Sequence, residues 1–312
     1  MGVLTVTLNP AIDETIGIDR LVPGQVHRAR SVRYNAGGKG VDVASCLADW
    51  GVPVTAAGLL GAKNDAIFEQ LFKAKGIRDA FVRLEQENRV NVTLVDDEGT
   101  TDIYLAGLSA VPEDLANLEK TLLQTARETS PDVAVLSGSL PAGCPPDVYA
   151  AMTEKLTHAG PKVLLDTSGP ALKAVLDSAT PPFGIKPNRN ELAEVVGRPL
   201  KDIQSLSAEA RALIERGMGL VVISLGGDGA LFVSAQGALT AIKKMELHNS
   251  TVGAGDAMVA GIAAALEAGA DLERIARLST AFAVGKLALF GPNLPDKKTV
   301  ESIAAEVEIA SA

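Results

Sequence analysis

The chain is poor in the residues that build disulfide scaffolds and zinc sites. Its 312 residues include two cysteines, Cys46 and Cys144, and three histidines. Two cysteines cannot form a disulfide framework, and no Cys/His cluster has the spacing of a zinc site. The composition therefore excludes a small disulfide-stapled domain and a zinc finger, and a reducing cytoplasmic setting is expected.

Positive charge is also scarce. There are 29 Lys and Arg against 38 Asp and Glu, which gives a formal net charge of −9. This balance argues against a nucleic-acid or membrane-surface partner, although a local basic pocket can still bind an anionic substrate. The most apolar predicted helix, residues 254–266, is too short for a membrane span, and Asp256 interrupts it. The N-terminal residues lack a signal-peptide pattern, so we expect no membrane partner.

Aromatic residues make up only 4% of the chain, whereas hydrophobic residues make up 47%. Val, Ile, Leu and Ala must then build the core, which is typical of parallel strands buried under helices. Residues 3–8 form the first predicted strand, and from residue 112 helices and strands alternate up to a strand at 220–224. This pattern predicts an α/β fold with a mostly parallel central sheet, formed as one domain over residues 1–312.

Two stretches depart from the alternation of helices and strands. Residues 14–36 and roughly 81–107 alternate apolar and polar side chains, as half-exposed strands do. We expect the two stretches to pair into a small β-sheet that covers the functional site as a lid and excludes water from it.

A loop that becomes an apolar helix, within residues 250–261, is the most informative stretch. Gly253 and Gly255 have no side chains to keep an anion away, and the first amides of a helix lack intrahelical partners. Asp256 follows Ala254 and Gly255 in that first turn. A carboxylate beside an anion hole is suited to take a proton from an attacking hydroxyl. The alternative is an ordinary loop-to-helix turn that carries an early-helix charge.

A second glycine-rich turn comes before a predicted helix at 41–50. Gly37, Gly38 and Gly40 let the backbone approach a ligand closely, and Lys39 adds a cation there. It is not a Walker A loop, because Arg33 stands where the first Gly belongs and no Ser or Thr follows the lysine. A bare glycine turn is the alternative. The glycine loops contain no Gly-x-Gly-x-x-Gly match, which argues against a nicotinamide dehydrogenase.

Polar loops follow several predicted strands, and the carboxyl ends of strands are where α/β sheets bind ligands. Asp13 is expected in the loop that leaves the strand at 3–8. Arg89 opens a predicted strand within the stretch at roughly 81–107. Asn188 and Glu191, at a helix start, can hold a hydrated magnesium ion or form a capping box. The remaining loops of this kind are residues 137–141, 166–169 and 224–230.

The two glycine signatures, 37–40 and 250–261, occur in the order found in the ribokinase-like PfkB sugar kinases, and the resemblance covers essentially the whole chain. Residues 7–13, 137–141 and 186–188 resemble the members that act on phosphorylated hexoses. The resemblance implies a three-layer α/β/α sandwich with a β-sheet lid and a homodimer formed through that lid. It also implies transfer of the ATP γ-phosphate, with Mg²⁺, to a sugar phosphate. Fructose 1-phosphate is the expected substrate. Tagatose 6-phosphate and a non-catalytic sugar-phosphate or nucleotide-binding relative are the alternatives.

The resemblance also implies a role for each candidate residue. Asp256 would be the general base, and Gly253, Ala254 and Gly255 the anion hole. The sugar phosphate would be bound by Asp13, Gly37, Gly38, Lys39, Asp42, Arg89, Arg28 and Ser139. The nucleotide would be bound by Lys186, Asn188, Ser224, Gly226, Gly229 and Thr251. Magnesium would be held, through water, by Asn188 and Glu191.

One residue departs from the family pattern, which has Asn where this chain has Asp42. An ionised Asp only accepts hydrogen bonds, whereas Asn also donates. A negative charge at this position should weaken the binding of a nearby sugar phosphate. We therefore expect Asp42 to alter the substrate preference.

Overall fold

Within residues 2–244 and 253–312, which the computed structural model describes, strands and helices alternate along most of the chain. The strands are β1 (Val3–Thr7), β2 (Ala11–Gly17), β3 (Ser31–Gly37), β4 (Val54–Gly61), β5 (Arg78–Leu84), β6 (Arg89–Val95), β7 (Thr100–Tyr104), β8 (Val133–Ser137), β9 (Lys162–Asp166), β10 (Gly184–Ile185), β11 (Leu220–Ser224), β12 (Ala230–Ser234), β13 (Gly237–Ile242) and β14 (Glu308–Ser311). The helices are α1 (Lys39–Trp50), α2 (Ala66–Lys75), α3 (Pro112–Thr129), α4 (Val148–Ala159), α5 (Gly169–Asp177), α6 (Arg189–Val196), α7 (Ile203–Glu215), α8 (Ala254–Glu267), α9 (Leu272–Leu287) and α10 (Lys297–Ala305).

The larger sheet has the strand order β14-β13-β12-β11-β10-β9-β8-β1-β4-β5. The strands from β11 to β5 in this order pair in parallel, and β12, β13 and β14 extend the sheet with antiparallel pairs. In this register Thr7 lies beside Gly58 and Ser137. The carboxyl ends of the parallel strands therefore share one edge, and the loops that follow them meet there.

Helices cover both faces of the large sheet, and each layer has its own apolar cluster. One cluster includes side chains of α1, α2, α8, α9 and α10, and it buries Phe68 and Phe282. The other includes side chains of α3 to α7 and buries Tyr149. This layering around a mostly parallel sheet confirms the predicted α/β/α fold class.

Helices α8 and α9 pack against each other at very close range. A Cβ atom on Gly261 of α8 would lie 2.5 Å from the Cα of Ser279 on α9, which no side chain tolerates. Four residues separate the two helices in the chain, so they form an antiparallel hairpin. The close approach fixes the end of α9 relative to the start of α8.

The small sheet has the strand order β3-β2-β6-β7, with β2 and β6 parallel and the outer pairs antiparallel. Directly paired residues lie on the same face of a sheet. One face carries the row Asn35, Asp13, Asn91 and Tyr104. The next row, on the opposite face, is Tyr34, Glu14, Val92 and Ile103. The site side of this sheet is therefore polar, and its outer side is largely apolar.

Three sequence expectations about these elements need correction. Residues 81–84, the start of the second lid stretch expected from the sequence, belong to β5, which pairs with β4 at the edge of the large sheet. The second strand pair of the small sheet therefore spans 89–104 rather than 81–107. Asp13 lies within β2 and not in a loop. Strands β13 and β14 were not predicted. Alternation in sequence shows that a segment is half-exposed, but not which sheet it joins.

Among the helices of the described residues, none combines the length and apolar character that crossing a membrane requires.

Candidate active site

Helix α8 begins in a turn in which Gly253 and Gly255 have no side chains. Gly253 is the N-cap of α8 and has φ 80°, a left-handed conformation that favours glycine. A Cβ on Gly253 would lie 3.3 Å from the Nζ of Lys286, and one on Gly255 would lie 3.7 Å from the Nζ of Lys186. Two ammonium groups thus flank the helix N-terminus, where the first amides lack intrahelical partners, and the arrangement suits an anion.

Asp256 lies in the first turn of α8 and is only partly exposed. Burial raises the pKa of its carboxyl to about 6, with Asp166 and Asp13 contributing in the same direction, while Lys39 and Lys186 oppose the shift. A carboxylate with a pKa near 6 is a stronger base than an ordinary Asp and is still ionised at neutral pH. Its environment fits the role of general base.

Asp166, buried at the end of β9, binds two lysines, the buried Lys186 and the partly exposed Lys39. Its Oδ2 accepts a hydrogen bond from the Nζ of Lys39 at 2.9 Å, and its Oδ1 lies 3.2 Å from the Nζ of Lys186. The side chains of Asp166 and Lys186 are 1% and 5% exposed. Burial alone would raise the pKa of Asp166, but the two ammonium groups lower it. Asp166 in turn raises the pKa of Lys39. Sequence reasoning noted this loop without assigning Asp166 to the site.

The glycines of the turn before α1 are required by close packing against neighbouring residues, as well as by the access that a ligand needs. Gly38 has φ 106°, and a Cβ there would lie 2.9 Å from the Cα of Pro10. A Cβ on Gly40 would lie 2.4 Å from the Oγ1 of Thr7. These glycines let α1 sit directly on the end of β1, a constraint that sequence reasoning attributed to a ligand. The result is that Lys39, the first residue of α1, reaches Asp166.

Asp13 projects from β2 toward the glycine turn. Its Oδ1 accepts a hydrogen bond from the Nδ2 of Asn91 at 2.9 Å, and its Oδ2 is 2.1 Å from where a Cβ on Gly37 would stand. Burial raises the pKa of Asp13, while the Asn91 bond and the charge of Arg89 oppose the shift. Asn91 was not identified from sequence, because an Asn in a strand carries no motif.

Arg89 and Ser139 both form hydrogen bonds with Asn9. The Nη2 of Arg89 donates to the Asn9 carbonyl at 3.3 Å, and the Asn9 side-chain amide donates to the Oγ of Ser139 at 3.3 Å. The Nε of Arg89 is buried without a hydrogen-bond partner in the described part of the chain. An orphaned guanidinium nitrogen is suited to receive an anionic group from a ligand.

Asp42 also has an unsatisfied atom. Its Oδ1 is buried and has no hydrogen-bond partner among the residues at 2–244 and 253–312. Burial, followed by the charges of Asp256 and Asp13, raises its pKa well above the ordinary value, and Lys286 and Lys39 oppose this. The neutral acid, which can donate a hydrogen bond as Asn does, is therefore favoured more than the sequence argument assumed.

Asn188 and Glu191 form the capping box that the sequence left open as an alternative. The amide of Asn188 donates to the Oε2 of Glu191 at 2.7 Å, and the amide of Glu191 donates to the Oδ1 of Asn188 at 2.9 Å. No cluster of three or more His, Cys, Asp or Glu that suits a metal occurs in the described ranges. The cap thus uses one side-chain oxygen of each residue.

The other nucleotide candidates lie next to this cap. Ser224, at the end of β11, makes a parallel bridge with Asn188, and its amide donates to the Pro187 carbonyl at 3.0 Å. Gly226 and Gly229 have φ 65° and 85°, which a side chain would strain.

Two candidates stand apart. Arg28 is exposed between β2 and β3, and within the described segments no hydrogen bond or ion pair links it to another candidate. Thr251 lies outside the described residues.

The buried ion pair of Asp166 and Lys186 can be tested by its effect on stability. Asp166→Asn leaves Lys186 buried beside a neutral amide, so the free energy of unfolding at pH 7 should fall by about 3 kcal/mol in urea titrations. Because the pKa of Asp166 is lowered in the folded protein, the contribution of its charge is present above the unfolded pKa and is lost as the pH falls. The deficit of the variant should therefore shrink in acid.

Asp177→Asn is the matched control for this experiment. Its ion pair with Lys173 joins side chains that are 63% and 60% exposed, so the loss should stay below about 1 kcal/mol. Equal losses for the two variants would contradict a special role for the buried pair.

The chain is similar to known proteins in both sequence and structure. Residues 6–298 match the family described as pfkB family carbohydrate kinase. The chain is 50% identical over 289 residues to a 1-phosphofructokinase of Xanthomonas campestris pv. campestris, with 91% of this chain and 90% of that protein covered. It is 42% identical to a 1-phosphofructokinase of Rhodobacter capsulatus, with 99% and 98% covered.

Solved structures agree with these sequence relatives. A Thermotoga maritima structure, described as a possible 1-phosphofructokinase, superposes with a TM-score of 0.90 at 26% identity and covers 99% of each chain. The likeness extends over both sheets and all three layers.

Proposed function

Because this chain belongs to the pfkB family of carbohydrate kinases, we propose that it transfers the γ-phosphate of ATP to fructose 1-phosphate and forms fructose 1,6-bisphosphate. The observation that carries the chemistry is the α8 turn, where Asp256 stands at unpaired helix amides flanked by two lysines. The 50% identity to a protein named 1-phosphofructokinase supports the choice of sugar.

The reaction needs a base, an acceptor of charge and fixed reactants. Asp256 accepts the proton of the sugar hydroxyl as the oxygen attacks the γ-phosphorus. The amides of Gly253, Ala254 and Gly255 bind the phosphoryl oxygens. The bond between the γ-phosphorus and the bridging oxygen breaks, and ADP leaves with the electron pair. The raised pKa of Asp256 supports its role as base.

The sugar phosphate binds between the small sheet and the glycine turn. Asp13 accepts from sugar hydroxyls, and the cations Lys39 and Arg89 bind the phosphate already present on the substrate. Asp42, Gly37, Gly38 and Ser139 complete this pocket, and Arg28 joins it only if the β2–β3 connection folds inward. The Nε of Arg89 and the Oδ1 of Asp42 support this assignment, because both are buried and have no hydrogen-bond partner among the described residues.

The nucleotide binds along the loops that follow β10 and β11. Lys186, Asn188, Ser224, Gly226 and Gly229 border it. A magnesium ion, when bound, neutralises the phosphate charge, and Asn188 and Glu191 order its water shell. The small sheet lies over the pocket as a lid and limits loss of the phosphoryl group to water.

The substrate assignment is tested by measuring ADP release in a coupled assay with ATP and magnesium. Fructose 1-phosphate, tagatose 6-phosphate, fructose 6-phosphate and fructose are compared, and fructose 1-phosphate should give the highest kcat/KM. A higher kcat/KM for tagatose 6-phosphate would make that sugar the assigned substrate, with the proposed mechanism unchanged. ADP release with none of the four would overturn the proposed function.

The role of Asp256 is tested by Asp256→Asn and by the pH profile. The variant should lose about 10³-fold in kcat, the range of general-base catalysis, while calorimetry shows unchanged ATP binding. In the wild-type enzyme kcat/KM should rise with pH through about 6, where Asp256 loses its proton, and then level off. Asp177→Asn should behave as wild type. Turnover near the wild-type rate in Asp256→Asn would rule out this base.

We also propose that two copies of the chain associate through the outer face of the small sheet. Val32, Tyr34 and Ile103 on this face are 44%, 57% and 51% exposed. Their register places them in adjacent rows around Glu14, so they form one patch and not isolated residues. A contiguous apolar patch of this kind marks an interaction surface.

Light scattering after size-exclusion chromatography tests the dimer. Ile103→Glu puts a charge on the proposed interface, at the edge strand β7, and should convert a dimer to a monomer. Val111→Glu is the matched control, since Val111 is 53% exposed on a different element, and it should stay dimeric. A wild-type monomer, or a dimer insensitive to Ile103→Glu, would contradict the proposal.

A further inference from the structure

Lys286 reaches the start of α8 because α8 and α9 form a close antiparallel pair. The pair meets at Gly261 and Ser279, where a Cβ on Gly261 would lie 2.5 Å from the Ser279 Cα. About two turns back along α8 from Gly261 is Gly253, and about two turns forward along α9 from Ser279 is Lys286. Residues spaced in this way lie on the same face of a helix, so the packing of the hairpin aims Lys286 at the α8 N-terminus.

The side chain of Lys286 occupies the space that a side chain on Gly253 would take. Its Cε and Nζ are 3.0 and 3.3 Å from the Cβ position of that glycine. Gly253 is the N-cap of α8, so the ammonium group is adjacent to the amides that have no helical partner. Lys286 is partly buried, which strengthens its electrostatic effect relative to a surface lysine.

The cations of the site lie on two flanks of the α8 turn. Lys39 and Lys186 share Asp166, so part of their positive charge is already compensated. Lys286 stands on the other flank of the turn, where its charge acts on Asp13 and Asp42: burial raises the pKa of both carboxyls, and the attraction of Lys286 is one of the contributions that oppose the shift. The charge of Lys286 therefore acts on the sugar-side carboxyls from a position next to the helix terminus.

We propose that Lys286 is a catalytic residue whose ammonium group stabilises the negative charge on the phosphoryl group while it passes from ATP to the sugar oxygen. The inference rests on the kinase function proposed above. Lys286 takes no proton and forms no bond; Asp256 receives the hydroxyl proton, and ADP leaves with the bridging oxygen. A fixed cation at the place where charge develops lowers the barrier and leaves substrate affinity nearly unchanged.

Lys286→Met, made in the 312-residue chain, tests the inference. Its kcat should fall by about 10²-fold, as when one donor to a developing charge is removed, with KM for ATP and for fructose 1-phosphate changed by less than about threefold. Lys286→Arg keeps the charge and should recover most of the rate. Lys298→Met is the matched control, because Lys298 is exposed at the start of α10, and it should equal wild type.

A binding measurement separates a catalytic role from a structural one. ADP, aluminium fluoride and fructose 1-phosphate mimic the transferring phosphoryl group, and their joint affinity should drop in Lys286→Met by about the same factor as kcat, while ATP affinity does not. If Lys286→Met does not fold, Lys286→Gln is measured in the same way. A kcat within about twofold of wild type, or a loss confined to KM for the sugar phosphate, would overturn the inference. If the wild-type enzyme shows no activity with any of the four sugars, the proposed kinase function itself is overturned.

Discussion

The buried carboxylate of Asp166 binds the ammonium groups of the buried Lys186 and the partly exposed Lys39, and the site is organised around that interaction. The three residues come from the end of β9, the start of α1 and the loop after β10. A buried carboxylate with one cation removed would be costly, and so would a buried lysine without its carboxylate. Because each charge requires the others, the three segments are held in one relative position, and the cations are fixed before any substrate binds.

The fixed cations explain how an acidic chain can accept highly charged substrates. Four carboxyl groups, Asp13, Asp42, Asp166 and Asp256, share the site with Lys39, Lys186, Lys286 and Arg89. Burial raises the pKa of the carboxyl groups of Asp13, Asp42 and Asp256, so ionisation is less favourable for them than for an ordinary Asp. The local balance therefore favours anions in spite of the net charge of −9.

Some elements of the site could be predicted residue by residue, and others could not. The glycines and Asp256 at the start of α8 are consecutive in sequence, so local chemistry is enough to recognise a helix start with a carboxylate beside it. Asn188 and Glu191 are also close in sequence, and the sequence allowed either a magnesium site or a capping box for them. The hydrogen bonds of the folded chain showed the capping box. Asn91 and Lys286 carry no local pattern, because their partners Asp13 and Gly253 are distant in sequence.

The sequence by itself determined the alternation of helices and strands, the buried parallel sheet and the chemistry of its glycine turns, since hydrophobic periodicity and backbone freedom are local properties. The tertiary structure decided which strands joined which sheet, why Gly40 must lack a side chain, and which charges met at Asp166 and at the start of α8. Those outcomes depend on packing between segments far apart in the chain, such as Gly261 against Ser279. Periodicity describes how one segment is buried, but only the packed chain brings separate segments and their charges together.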